Sequence, residues 1–284
     1  MNSFFVYLDI LGFKNLVANN TTQRLEKIIK SFWDGFNKTI DESRTIPYKN
    51  VTNGTNGEWK ISLDKLNFRL LSDSILIWSE DESFQNFRNI LEATSQLLAY
   101  GLQNGFPLRG AMTYGEVIVQ RSNNSNTRFL PNESIYGKAL VETYSIEEKM
   151  EWSGCIMTSN AWKQVCKIWD RIHANDSDPN SYFTKHPHLV WYPIPFKDSP
   201  QAGIAINWNS AIAYDSEKKI DPYLVQNSFY AYGKGFPPNT KKQDETLKFL
   251  NYTTQLQDYC FLSSREESQK RRKTIPIPCD DYKI

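Results

Sequence analysis

Two short apolar runs each carry a single acid, and that pairing limits what the chain can fold into more than any other feature. The first is Phe4-Phe5-Val6-Tyr7-Leu8-Asp9-Ile10-Leu11-Gly12-Phe13; the second is Leu70-Leu71-Ser72-Asp73-Ser74-Ile75-Leu76-Ile77. Runs this apolar and this short read as buried strands. A carboxylate inside one is costly to bury unless it is paired or holds a cation. Two such segments in one domain point to two carboxylates that meet around a divalent metal.

Composition narrows the setting. At 284 residues there is room for one large domain or two small ones, and 40% apolar content with 14% aromatics is that of a globular core. A net charge of +1 gives no general pull toward nucleic acid or an acidic membrane surface. The four cysteines (Cys155, Cys166, Cys260, Cys279) lack CxxC spacing, which fits reduced thiols better than disulfides or zinc. His186 and His188 flank a proline in a loop-like stretch and read as surface histidines rather than metal ligands. The apolar start has no basic leader and is broken by Asp9, and no stretch is long enough to span a bilayer, so a soluble cytoplasmic protein is expected.

Along the chain, residues 3–11 predict a strand and 21–41 a helix with Leu25, Ile28, Ile29, Phe32, Trp33, Phe36 and Ile40 as its apolar positions. The polar, Asn- and Gly-rich 42–60 predicts a surface loop or protruding hairpin. Strands follow at 66–71 and 74–79, then a helix at 83–104, a strand at 107–119, a helix after Gly137 and a short strand at Gly154–Met157. The order β-α-β-β-α-β is that of an α+β, ferredoxin-like split βαβ sheet. The expectation is helices on one face and a C-terminal extension packed on the same domain. Asp9 and Asp73 then meet at one sheet edge. Residues 180–284 are less legible; 241–273 predicts a helix ending in the basic run Lys270-Arg271-Arg272-Lys273, read as a solvated end.

Taken in order, YLDILGFK, LLSDSILI, LRGAMTYGEV and IYGKALVETYSIEE resemble the segments of the class III nucleotide cyclase catalytic domain, over about residues 3–160. Within that superfamily the likeness is closest to the Pycsar pyrimidine cyclases, bacterial anti-phage enzymes that make cyclic UMP or cyclic CMP. The resemblance implies a catalytic domain over 1–175 with an extension over 176–284. It implies two Mn²⁺ or Mg²⁺ ions held by Asp9 and Asp73, with the Ile10 carbonyl as a further ligand. It also implies a homodimer with active sites shared between subunits, a pyrimidine ribonucleoside triphosphate as substrate, and a separate effector that responds to the cyclic product.

The chemistry needs this arrangement, because the ribose 3′-oxygen attacks the α-phosphorus and pyrophosphate leaves. Backbone amides around Leu11, Gly12 and Phe13 can approach phosphate oxygens, since glycine removes the Cβ obstacle. Tyr7 lies two residues before Asp9 and projects to the same strand face, where it narrows the pocket or stacks on a base. Arg69 stands four residues before Asp73 and can donate a planar pair of hydrogen bonds to a pyrimidine carbonyl; the alternative is that Tyr7 is a core aromatic and Arg69 forms a surface ion pair.

The sequence departs from the purine cyclases at two places. Where adenylate cyclases carry Lys and Asp, and guanylate cyclases Glu and Cys, this chain has Arg69 and Ser134. Four and eight residues after Gly137, where purine cyclases usually carry Asn and Arg, stand Val141 and Ser145. Either another cation serves (Arg109, Lys138 or a C-terminal residue) or the domain is inactive. An arginine donates and does not accept, so the expected substrate is UTP rather than CTP, with cyclic UMP as product. The rivals are cytidylate cyclase activity, a purine cyclase, and a degenerate domain used for dimerisation or sensing. Nucleic-acid binding is not expected.

Overall fold

The computed structural model describes residues 1–42, 45–49, 56–60, 63–121, 133–172, 188–211, 220–235 and 240–262. Strand β1 (Asn2–Ile10) leads into a short helix α1 (Phe13–Ala18) and then α2 (Thr22–Glu42). The polar stretch after α2 forms the hairpin β2 (Thr45–Lys49) and β3 (Asn56–Lys60). Strands β4 (Leu66–Leu71) and β5 (Ser74–Ser79) follow, then α3 (Phe84–Gln103) and β6 (Leu108–Glu116). The edge pair β7 (Ile118–Arg121) and β8 (Glu133–Tyr136) precedes α4 (Lys138–Glu147), β9 (Gly154–Met157) and α5 (Ser159–Ile172). The chain continues as β10 (Leu189–Ile194), β11 (Gln201–Ile206), α6 (Pro222–Ser228) and α7 (Lys241–Leu262).

The main sheet has seven strands in the order β10-β11-β9-β6-β1-β5-β4. Its β6-β1-β5-β4 part is antiparallel throughout, the α+β ferredoxin-like arrangement that the sequence order predicts. Beyond it, β9 joins parallel to β6, and β11 and β10 add antiparallel to that, so the C-terminal strands extend the same sheet.

β1 is the centre of the design. Phe4, Val6, Leu8 and Ile10 alternate onto one face, where they pack with Phe87, Ile90 and Leu91 of α3 and Trp162 and Val165 of α5. Phe5 and Tyr7 point the other way and pack with Leu76, Trp78, Val117 and Ala139 of α4. Here the structure corrects the expectation of helices on one face: α4 covers the opposite face from α3. The reason lies in β1 itself, which is apolar at successive positions and therefore needs cover on both sides.

The C-terminal region closes the core with aromatics. Phe249 of α7 sets its ring edge-on to Trp152, with centroids 4.7 Å apart, and to Tyr192 of β10, at 4.9 Å. Full burial of a ring of this size stabilises the fold by about 2–3 kcal/mol. The helix is thereby fastened beside the loop that joins α4 to β9. Lys270 to Lys273, Cys279 and His186 lie outside the described residues.

Candidate active site

The register of three strands places the first acid. Asp9, one residue from the end of β1, stands opposite Ser74 of β5 and Arg109 of β6. The second acid sits in the tight turn between β4 and β5, where Leu71 pairs with Ser74. Ser72 in that turn adopts a φ of 60°, a left-handed conformation that costs a non-glycine residue about 1 kcal/mol. The turn is fixed to β1 because the Ile10 amide donates to the Asp73 carbonyl at 2.9 Å. Asp9, Ile10 and Asp73 are therefore brought to one edge of the sheet.

The field at that edge is acidic. Burial first, then the carboxylates of Glu147 and Asp73, push the Asp9 carboxyl up to about 7 against the pull of Arg109 and Lys242. Glu147 ends α4 and is almost fully buried. Burial raises its carboxyl too, while the Arg109 charge and hydrogen bond hold it down. Arg109 joins the group: its Nη2 pairs with Glu147 and lies 3.9 Å from Asp9 Oδ2, while Nη1 donates to the Met150 carbonyl at 2.8 Å.

Oxygen ligands from Asp9 and Asp73 suit a hard divalent cation. Among the described residues no three His, Cys, Asp or Glu side chains converge as a metal cage. A cation here would draw the rest of its shell from backbone oxygen, water and ligand phosphate, which is the habit of Mg²⁺. The donor set fits the ion on those terms.

Tyr7 shares the face of Asp9. Its hydroxyl and that of Ser74 hydrogen-bond at 2.8 Å, and its ring meets Tyr144 of α4 edge-on at 5.7 Å. Burial raises the Tyr7 phenol to about 12, so it stays protonated. Arg69 belongs to the same cross-strand row, opposite Leu76, which is itself opposite Tyr7. Its guanidinium is engaged: Nε and Nη2 donate to Glu133 of β8 at 2.6 and 2.9 Å, and Nη1 donates to the Phe68 carbonyl at 2.8 Å. The planar edge assigned to a base from sequence is taken by the Glu133 carboxylate in this structure.

The turn after β1 also differs in detail. The Leu11 amide donates to the Pro107 carbonyl at 2.9 Å, so this residue secures β1 to the start of β6 rather than presenting its N–H outward. Gly12 is the N-cap of α1 with φ of 80°, a conformation natural only to glycine. Phe13 opens α1, where the helix leaves amides without carbonyl partners.

Four residues of this region carry no strong sequence signal. Glu133 lies 64 residues from Arg69, and Lys234 and Lys242 come from the C-terminal stretch. Glu147 had the best clue, an acid in the same predicted helix as Val141 and Ser145. Of those two, Val141 is exposed, and the Ser145 hydroxyl donates back to its carbonyl at 2.8 Å. His188 is buried, not on the surface: its Nε2 lies 3.0 Å from Glu92 Oε2 and its Nδ1 2.9 Å from Ser210 Oγ. Cys155 and Cys166 are free and buried.

Fold and site together define an α+β protein of ferredoxin-like order with an acidic sheet edge. Among solved structures, the chain is similar to the guanylyl cyclase Cya2 with a TM-score of 0.43 and 8% identity, covering 72% of this chain and 90% of that one. It is similar to the adenylyl cyclase CyaB from P. aeruginosa with a TM-score of 0.40 and 10% identity, over 72% and 93%. The guanylate cyclase domain of RhGC from Catenaria anguillulae, in complex with GTP, gives a TM-score of 0.38 and 8% identity, over 72% and 95%. No family model matches the chain, and no curated protein matches it. No helix among the described residues is long and apolar enough to cross a membrane.

Proposed function

We propose that this chain is a metal-dependent pyrimidine nucleotide cyclase of the class III, Pycsar-like type, converting UTP to 3′,5′-cyclic UMP and pyrophosphate. The observation that carries the reading is the Ile10–Asp73 backbone bond, which sets Asp9 and the Asp73 turn at one sheet edge. Asp9 and Asp73, with the Ile10 carbonyl, are the residues that would hold Mn²⁺ or Mg²⁺. Bound there, the ions supply charge neutralisation at the triphosphate and activation of the ribose 3′-oxygen.

The chain's own residues do the rest. Gly12 and Phe13 offer backbone amides to phosphate oxygens. Arg109, anchored on Glu147 and Met150, faces the same edge and answers the need for a cation left open by Val141 and Ser145. Tyr7 walls the pocket beside Asp9, and Arg69 reads the base. Glu133 at its side adds an acceptor, so the amino group of cytosine also has a partner, and CTP is the alternative substrate.

A homodimer with shared sites is supported by apolar residues left exposed near this edge: Leu70 and Leu71 before the Asp73 turn, and Val141 and Tyr144 on α4. In this reading the cyclic nucleotide is a cytoplasmic anti-phage signal read by a separate effector. A second reading, an inactive cyclase-like dimerisation or sensor domain, is favoured by Val141 and Ser145 alone. Incubation with each of the four radiolabelled ribonucleoside triphosphates and Mn²⁺, followed by product separation, decides between them. Cyclic UMP with pyrophosphate is expected. A purine product would overturn the base assignment, and no turnover by a folded dimer would establish the second reading.

A further inference from the structure

Lys234 is a lysine in an unusual place. It is 3% exposed, and among the described residues no carboxylate faces it. Its Nζ donates instead to two carbonyls, Ser228 at the end of α6 at 2.6 Å and Gly105 at 2.7 Å. Its stem lies along Gly12: a Cβ built there would stand 3.1 Å from Lys234 Cδ and 3.7 Å from Cγ. Burial pushes the ammonium down to about 7, so a lysine here is costly. A methionine would cover Gly12 without that cost. The charge must therefore serve the two carbonyls.

The neighbours of Lys234 grip the other end of the same short helix. Asn19 donates from Nδ2 to the Gly233 carbonyl at 2.7 Å, and Asn20 donates to the Tyr232 carbonyl at 2.6 Å. The Tyr232 ring rests 5.4 Å from Phe106, whose own chain runs into Pro107, the acceptor of the Leu11 amide. Residues 231–234 thus hold α1 at both its ends and hold the turn that precedes β6.

We propose that Lys234 is a positioning residue: it ties the C-terminal segment across Gly12 and Gly105 and so holds the turn opening α1 in the conformation that receives the triphosphate. This rests on the functional reading above in assigning Gly12 and Phe13 to phosphate. Leu11 and Leu16 on either side are buried in the core, but Gly12, the pivot with φ of 80°, carries no side chain, so the order at the pivot comes from what lies against it. The clasp supplies that order from more than two hundred residues away.

The test uses the full chain with Lys234→Ala, Lys234→Met and the Asn19→Ala/Asn20→Ala double variant. Hydrogen exchange of amides 12–18 is read beside steady-state kinetics with Mn²⁺ and UTP. Lys234→Ala is expected to speed exchange across 12–18 about tenfold or more with β6 and β9 unchanged, and to raise KM about tenfold with a smaller change in kcat. Lys234→Met keeps the stem and loses the tie, so it should fall between Lys234→Ala and wild type. The double variant should move both readouts the same way from the far end of α1, and it serves if the lysine variants do not fold. Unchanged exchange in all variants would overturn the clasp. Faster exchange with an unchanged KM would overturn the positioning role. If the wild type turns over no triphosphate, the functional reading fails, while the exchange arm still decides whether Lys234 holds the turn.

Discussion

Arg109 of β6 stands directly opposite Asp9 of β1, and its guanidinium comes to 3.9 Å of the aspartate while pairing with Glu147. One cation thus mediates between the acidic edge and the end of α4. It is only 11% exposed, and Glu147 only 4%. A buried pair of this kind is weak evidence of net stabilisation, but removing one partner strands the other.

Arg109→Met should therefore destabilise the protein by about 3–5 kcal/mol, since Glu147 would keep a buried charge with no partner. Urea unfolding of the variant and of Arg109→Met/Glu147→Gln gives the check. The double variant should recover much of the loss, because the uncompensated acid is then gone. Equal losses in both would mean that the arginine acts through packing alone.

Asp9→Asn and Asp73→Asn should each abolish cyclisation, by about a thousandfold or more, with little change in circular dichroism. Calorimetric titration with Mn²⁺ provides a readout independent of turnover: wild type should bind and each variant should lose affinity. Retained Mn²⁺ affinity in both would place the ion elsewhere.

Arg69 and Glu133 form a donor–acceptor pair on one face of the sheet, with Nε to Oε2 at 2.6 Å. Uracil offers carbonyl acceptors and cytosine an amino donor, so the two side chains should pull base choice in opposite directions. Arg69→Ala should lower the UTP-to-CTP ratio of kcat/KM, and Glu133→Ala should raise it, each by about tenfold. Competition assays with both triphosphates measure the ratio directly. A ratio unmoved by either change would remove both residues from base reading.

Much of the sheet was legible because its strands are bounded by sharp signals. Two apolar runs meet at Ser72-Asp73, and β4, β5 and β9 fall where the sequence predicts. The face of α4 was not legible, since it depends on β1 being apolar at Phe5 and Tyr7 as well as at Phe4 and Val6. α1 is six residues long, too short for helical periodicity to show. Asp9 and Asp73 were readable as acids in apolar runs. By contrast, the partners Glu133 and Lys234 are ordinary charged residues whose roles come only from tertiary proximity. α5 carries a clear helical spacing in Ala161, Trp162, Val165, Cys166 and Trp169, and its absence from the sequence reading is an omission that the pattern itself could have prevented.

The buried pair Glu92–His188 links α3 to the start of β10 and gives the fold an acid-side limit. Burial alone would raise the Glu92 carboxyl, but the His188 charge and hydrogen bond, the Gln96 amide and the Arg88 charge outweigh it, and the net direction is down from 4.5. A carboxyl lowered in the folded state stabilises at pH above its unfolded value, and that stability is lost as pH falls through the lowered folded value. The Glu92 contribution, read as the difference in urea midpoint between wild type and Glu92→Gln, should therefore be full above about pH 5 and be lost below it. Glu92→Gln should cost about 3 kcal/mol near neutrality and flatten the acid-side decline. An acid limb unchanged in Glu92→Gln would assign it to other carboxylates.

Leu71 and Val141 are the most exposed large aliphatic residues near the acidic edge, at 55% and 66%. Leu71 immediately precedes the Ser72-Asp73 turn, and Val141 lies on the α4 helix whose Tyr144 touches Tyr7. If two copies join across this face, a charge at either position must be desolvated without a partner, which costs several kcal/mol per copy and appears twice in a symmetric pair. Leu71→Glu and Val141→Glu should therefore shift the protein to monomer in analytical ultracentrifugation. Neither residue is packed in the protomer, so thermal unfolding of the monomer should change little. Activity should fall with the dimer and recover partly as protein concentration rises, because mass action restores the assembly. Full activity in a monomeric variant would show that one chain carries a complete site.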